Sequence, residues 1–149
     1  MSAHDVAVDG ALALAAVSGL VGIFGAERWW RIAPSREFWL ALRASQVLAF
    51  AYALLAGVLY ISNHKASSSL FYLYALLPIA IGFVAEQLRI VAADHVLTSR
   101  DLDEAAAVAE LPADEQESIV MAIVRREMGV MALAAFVVCF LALRAAGTY

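Results

Sequence analysis

The sequence predicts an all-α integral membrane protein folded as a four-transmembrane-helix bundle, and three observations carry that expectation. Hydrophobic residues make up 64% of the 149 residues and the mean hydropathy is +0.80, against about 45–50% apolar residues in an ordinary soluble domain. Apolar residues gather into four stretches, each close to the ~20 residues that cross ~30 Å of hydrocarbon. Short polar texts recur at the ends of these stretches: Phe24-x-Ala26-Glu27 and Phe83-x-Ala85-Glu86 close the first and third, and Arg36-Glu37 and Arg126-Glu127 open the second and fourth.

The first span is read from Asp9 to Arg28. No Lys or Arg precedes it, and Asp5 and Asp9 stand where a signal peptide needs a basic segment, so a retained helix is expected. The second runs from Phe38 to Ile61 and the third from Leu70 to Ala93, with Pro78 in mid-span. That proline removes an amide donor and crowds the Tyr74 carbonyl, which predicts a bend. The fourth covers Met128 to Leu143. All four must be helices, because an unpaired backbone amide in lipid costs several kcal/mol and no barrel-like alternation is present.

Between the third and fourth spans lies a cytoplasmic helical insert, 94–126. Thr98-x-x-Asp101 has the spacing of an N-cap with an acidic partner, predicting a short helix to about Leu111 before the Pro112 turn. Acids from Asp114 suit a helix N-terminus, and Ile119, Val120, Ile123 and Val124 recur at helical spacing, so this segment is expected to run on into the fourth span. Such a stripe must cover the short helix, the lipid interface or a partner.

Arg28, Arg31, Arg36 and Arg43 flank the first connection, Arg89, Arg100, Arg125 and Arg126 flank the third, and only Lys65 and Arg144 lie on the other side. The positive-inside rule then puts both connections in the cytoplasm and both termini outside, for a bacterial-type cytoplasmic membrane. Trp29, Trp30 and Trp39 fit one interfacial belt, and Tyr60, Phe71 and Tyr72 the other.

The repeated texts suggest a duplication, 1–65 forming one hairpin and 66–149 a second within a single membrane domain. An offset of 59 residues aligns the two Glu texts and one of 90 aligns the two Arg-Glu texts, so the second copy carries 31 extra residues where the insert lies. Such copies would be parallel repeats about an axis along the membrane normal. Small-xxx-small faces are expected at Ser18, Gly22 and Ala26 and at Ala49, Ala53 and Gly57, although abundant Ala supplies the same pattern by composition.

Several chemistries are disfavoured. The formal charge of -4 is concentrated in Asp94 to Glu117 and implies no nucleic-acid partner. Cys139, alone, reads as a packed thiol. Asp101-x-Asp103 begins like a calcium loop, but Ala106 replaces the required Gly and Pro112 the closing Glu. His4, His64 and His95 lack paired ligand spacing, so neither metal nor cofactor is expected. No phosphate-cradling Gly loop and no nucleophile elbow is present.

What remains is a polar layer. Ionisable residues in a span usually face the bundle interior or a wet cavity. Glu27, Arg43, Gln46, Glu86 and Arg89 are therefore the candidates for a ligand or ion site, with Arg43 and Glu86 at matching depths for a pair. Arg28, Arg36, Glu37, Arg126 and Glu127 are interfacial or counter-charge candidates. The same groups serve equally as ion pairs that lock helix register. The function expected first is non-enzymatic: a homo-oligomer, in contact with membrane lipids, that forms an ion or small-solute path. The alternative is an accessory or assembly subunit whose insert docks a protein partner.

A weaker alternative is an interfacial enzyme for a lipid-soluble substrate. Size and four-helix topology resemble the membrane-associated eicosanoid and glutathione metabolism proteins, and Glu27-Arg28-Trp29-Trp30-Arg31 resembles the Glu-Arg-x-x-Arg opening of that family's motif. The Asn and later Glu of the motif are missing, and the text ends the first span instead of opening the second. Membership is not assigned.

Overall fold

The computed structural model describes residues 2–100, 102 and 105–149. Its helices are α1 (Ala3–Arg31), α2 (Arg36–Ile61), α3 (Leu70–Thr98), α4 (Ala105–Val108) and α5 (Ala113–Ala146), and there is no strand among the described residues. All but α4 are long and apolar enough to cross a membrane. Their outward faces are apolar as well, with Leu20, Val47, Phe83 and Phe140 each more than half exposed. This surface is compatible with an integral membrane protein.

Local chemistry sets the helix ends. Ser2 and Asp5 form a reciprocal capping box on α1, the Asp5 amide donating to Ser2 Oγ (3.2 Å) and the Ser2 amide to Asp5 Oδ2 (2.8 Å). At its other end Ile32 turns left-handed (φ 51°), the Ala33 amide donates to the Arg28 carbonyl (3.0 Å), and Pro34 follows. Ser35 Oγ then accepts from the Phe38 amide at 3.2 Å and starts α2.

The long helices alternate in direction, and α5 is the central one. It packs along α1 and α3, while α2 lies on α1, more lightly on α3, and touches α5 at few points. Two apolar cores stack along the bundle. One holds Leu14, Tyr52, Phe71 and Ala142; the other, nearer the arginine-rich end, holds Val21, Phe38, Leu42, Met128 and Met131. Ser18 and Ser45 share a buried hydrogen bond (3.0 Å), and Tyr52 donates to the Ala7 carbonyl (3.1 Å), so both α1–α2 polar groups are satisfied.

Small residues permit the closest approaches. Gly25 lies where Phe38 of α2 and Ala132 of α5 leave no room for a Cβ, and at Gly22 a Cβ would meet the Phe136 ring at 2.9 Å. The small face on α1 is Ser18, Gly22 and Gly25 in place of the expected Ser18, Gly22 and Ala26, since Ala26 is only partly buried. On α2 the buried positions are Ala49, Ala53 and Ala56, and Gly57 faces open space. Helical rotation over more than one turn shifts the contact stripe by one residue from a strict spacing of four.

The opposite end is closed by aromatics. Tyr149 packs edge-on against Phe71 (ring centroids 4.8 Å), lies 5.5 Å from the His4 ring, and accepts at its backbone oxygen from the Ser67 amide (3.0 Å) and hydroxyl (2.6 Å).

The segment after the third span departs from expectation. Thr98 is the last residue of α3 instead of an N-cap, its expected partner Asp101 and the Asp101-x-Asp103 text lie outside the described residues, and the expected helix to Leu111 is one turn, α4. Apolar Ile90, Val91, Val96 and Leu97 favour continuing α3 past Ala93. As expected, α5 is continuous from the acidic start through the fourth stretch. Part of its stripe is covered, since Ile119 is buried while Val120 remains exposed; Arg100 donates to Ser118 Oγ at 3.2 Å, and Gln116 donates to the Ala109 (3.2 Å) and Leu111 (2.7 Å) carbonyls. Pro78 is buried within an uninterrupted α3.

A Gly25→Val substitution is expected to destabilise the bundle by ~1–3 kcal/mol through overpacking, whereas Gly57→Ala, in open space inside α2, is expected to stabilise it by about 0.5–1 kcal/mol. Thermal denaturation in detergent micelles, followed by circular dichroism, checks the contrast.

Candidate functional site

Because α2 meets α3 and α5 only lightly, a cleft of about 310 Å³ opens between the three helices. Its walls are apolar: Leu42, Ala49 and Phe50 from α2, Pro78 and Phe83 from α3, and Met131 and Val138 from α5. Gly82 and Ala134 line it too, and a Cβ at Gly82 would touch nothing within 4 Å. The cleft therefore exists partly because these positions carry almost no side chain.

At the arginine-rich end the polar members of the wall join into one cluster. Arg43 Nη1 donates to Glu86 Oε1 (2.6 Å) and to Gln46 Oε1 (2.7 Å), and Gln46 Nε2 reaches the same Glu86 oxygen at 3.4 Å. Arg89 Nη2 lies 3.3 Å from Glu86 Oε2. The Arg89 guanidinium also sits over the Trp39 ring, 5.3 Å from its centroid, a cation–π contact that fixes its height on the helix.

Spacing explains this convergence. Arg43 and Gln46 are three residues apart on α2, as are Glu86 and Arg89 on α3, so each pair shares a helix face. The side chains of Arg43 and Glu86 are 52% and 25% exposed, placing the pair at the cleft mouth and not in its depth. Both oxygens of the Glu86 carboxylate are engaged by guanidiniums, and with Glu127 nearby the two arginines and two glutamates balance in formal charge. Arg43 keeps N–H donors beyond those used on Gln46 and Glu86, available to a polar group of a bound molecule.

The remaining candidates do not all join the cluster. Glu27 pairs with Arg31 of its own helix (3.2 Å) and does not line the cleft. Arg28 stacks over Phe24 at 5.0 Å, with its Nε buried and without a hydrogen-bond partner. Glu37 accepts from Ser35 Oγ at 2.8 Å. Arg36 is exposed and has no ion pair among the described residues. Glu127, partly buried on α5, lies in the electrostatic neighbourhood of Arg89 and Glu86. Arg126 turns toward a different groove, between α1 and α3.

Sequence reasoning missed the apolar wall and the Trp39–Arg89 contact. No local sequence signal marks the wall: Gly82 stands between Ile81 and Phe83 much as the tightly packed Gly22 stands between Val21 and Ile23. Among the described residues no group of three or more His, Cys, Asp or Glu side chains could hold a metal ion. In comparisons with protein families, curated proteins and solved structures the chain matches none of them, so the meaning of the site rests on its own geometry.

A double-mutant cycle over Arg43→Gln and Glu86→Gln is expected to give a coupling of about 1 kcal/mol, the upper end for half-exposed pairs. Chemical denaturation of the single and double variants in micelles measures it, and an additive cycle would show the pair to be energetically idle.

Proposed function

We propose that this is a small polytopic protein of a bacterial-type cytoplasmic membrane, with both termini outside and two parallel-repeat hairpins, the second carrying a cytoplasmic insert. In this reading it works as a homo-oligomer that forms a permeation path for a small solute, and the cleft between α2, α3 and α5 is the solute-binding section. The carrying observation is the cleft itself: an apolar chamber whose polar wall is the Arg43–Gln46–Glu86 cluster at its mouth.

Apolar walls with one small polar patch fit a solute that has an apolar body and one polar group. The unused Arg43 N–H donors at the mouth favour an anionic or acceptor-rich group. Bare metal cations suit it poorly, because Glu86 is already engaged on both oxygens. Four helices make a narrow bundle, so the passage beyond the cleft is assigned to contacts between protomers.

A second reading, an accessory subunit, is favoured by the face of α3. Only Phe71, Ala75, Pro78, Ala85 and Val96 of that helix are buried, leaving a long apolar surface for lipid or a neighbouring helix.

Flux of hexanesulfonate, a permanently charged amphiphile, is to be compared with that of chloride, potassium and protons in proteoliposomes. Hexanesulfonate flux is expected in the parent, reduced about tenfold by Arg43→Gln, the loss expected for one charge-assisted hydrogen bond. Gly82→Leu is expected to abolish it by filling the cleft, while Glu27→Gln, outside the cleft, leaves it unchanged. Absence of flux for every solute, together with co-purification of one defined membrane protein, would replace transport by the accessory-subunit reading.

A further inference from the structure

A second depression runs along the outward side of α5, between α1 and α3, and encloses about 580 Å³. Its composition differs from that of the cleft. Arg126 is the one charged residue in its lining, with Trp29 beside it and Val130, Leu133 and Phe136 leading away along α5. Neither Arg126 nor its neighbour Arg125 has a carboxylate partner within 4 Å among the described residues. Arg125 instead stacks over the Trp29 ring, 5.4 Å from its centroid.

We propose that this groove is a binding site for one anionic phospholipid of the leaflet at the arginine-rich end, its phosphate meeting Arg126 and Arg125 and an acyl chain lying toward Phe136. The inference rests on the membrane reading given under Proposed function, but not on transport. Charge complementarity selects the occupant: Arg126 in the lining and Arg125 stacked on Trp29, neither ion-paired among the described residues, attract an anion, and the apolar remainder accepts hydrocarbon. Length agrees, because Arg126 to Phe136 spans ~15 Å by helical rise, about the depth of one leaflet's hydrocarbon.

Gly129 shapes the site. A Cβ there would stand 3.0 Å from Trp29 Nε1, so the glycine lets the indole lie close against α5 at the groove's lip. Glu127, the acid nearest in sequence, forms no ion pair with Arg126 within 4 Å.

The test is quenching of Trp29 fluorescence by lipids brominated on their acyl chains. Trp29 is made the only indole by Trp30→Phe and Trp39→Phe, and a matching variant keeps only Trp30, which is 78% exposed. Both are reconstituted in phosphatidylcholine vesicles doped with brominated phosphatidylglycerol or brominated phosphatidylcholine. Trp29 is expected to prefer the anionic lipid about fivefold, the effect of roughly one arginine near the surface, and Arg126→Gln is expected to remove the preference. Equal quenching by the two lipids overturns the proposal and leaves the membrane reading standing. A silent Trp29 beside a quenched Trp30 overturns it by showing protein, such as a second copy, in the groove. If neither indole is quenched, the proposal and the membrane reading fall together. The unsubstituted chain supplies a second measurement: its thermal midpoint in detergent is expected to rise more with phosphatidylglycerol than with phosphatidylcholine, and equal rises overturn the site.

Discussion

The close approach of α1 to α5 is the contact on which the rest of the bundle depends. Between helices in a bilayer, lipid supplies no hydrophobic drive, and association comes from tight van der Waals packing and hydrogen bonds. Gly22 and Gly25 bring Phe136, Ala132 and Phe38 onto the α1 backbone. With α5 drawn against α1 and α3, α2 packs mainly on α1 and touches α5 at few points. The cleft follows from that geometry, and it stays open because Gly82 and the alanines around it lack the bulk to fill it.

Electrostatics act within this frame. The cluster of Arg43, Gln46, Glu86 and Arg89 joins α2 to α3 across the mouth of the gap. Its partial exposure limits what it contributes to stability, since water screens such pairs. The same exposure leaves guanidinium donors facing the space a solute would occupy. In the proposed reading register and recognition would use the same atoms, and the two readings of these residues as lock or as site do not exclude each other.

The all-helical architecture and the four long apolar helices were legible because hydropathy and length are properties of contiguous sequence. The Arg43–Glu86 pair was legible too, since depth along a helix can be counted from its ends. The α1 contact stripe was nearly so, missing by one residue at Gly25. Less could be read where partners are distant in sequence. Nothing local distinguishes Gly82, beside an empty space, from Gly25, which has no space at all. Glu27 and Glu86 end similar texts, yet one pairs within its own helix and the other across the bundle, because only Glu86 faces a basic residue on the neighbouring helix. The extent of α3 beyond Ala93 was misread because Thr98 has the chemistry of a cap, and propensity yields to a continuing apolar face.

The seam between α2 and α3 is fastened differently at its two ends. Near the arginines it is held by charge, and near the other end by edge-on aromatic pairs, Tyr52 with Phe71 at 6.4 Å and Tyr60 with Tyr72 at 5.2 Å. Dissolved salt screens exposed charges, with a Debye length of ~8–10 Å near physiological ionic strength that shortens as salt is added, and leaves ring contacts untouched. The seam therefore has an aromatic end indifferent to salt and an ionic end whose strength falls as the ionic strength of the solution bathing it rises.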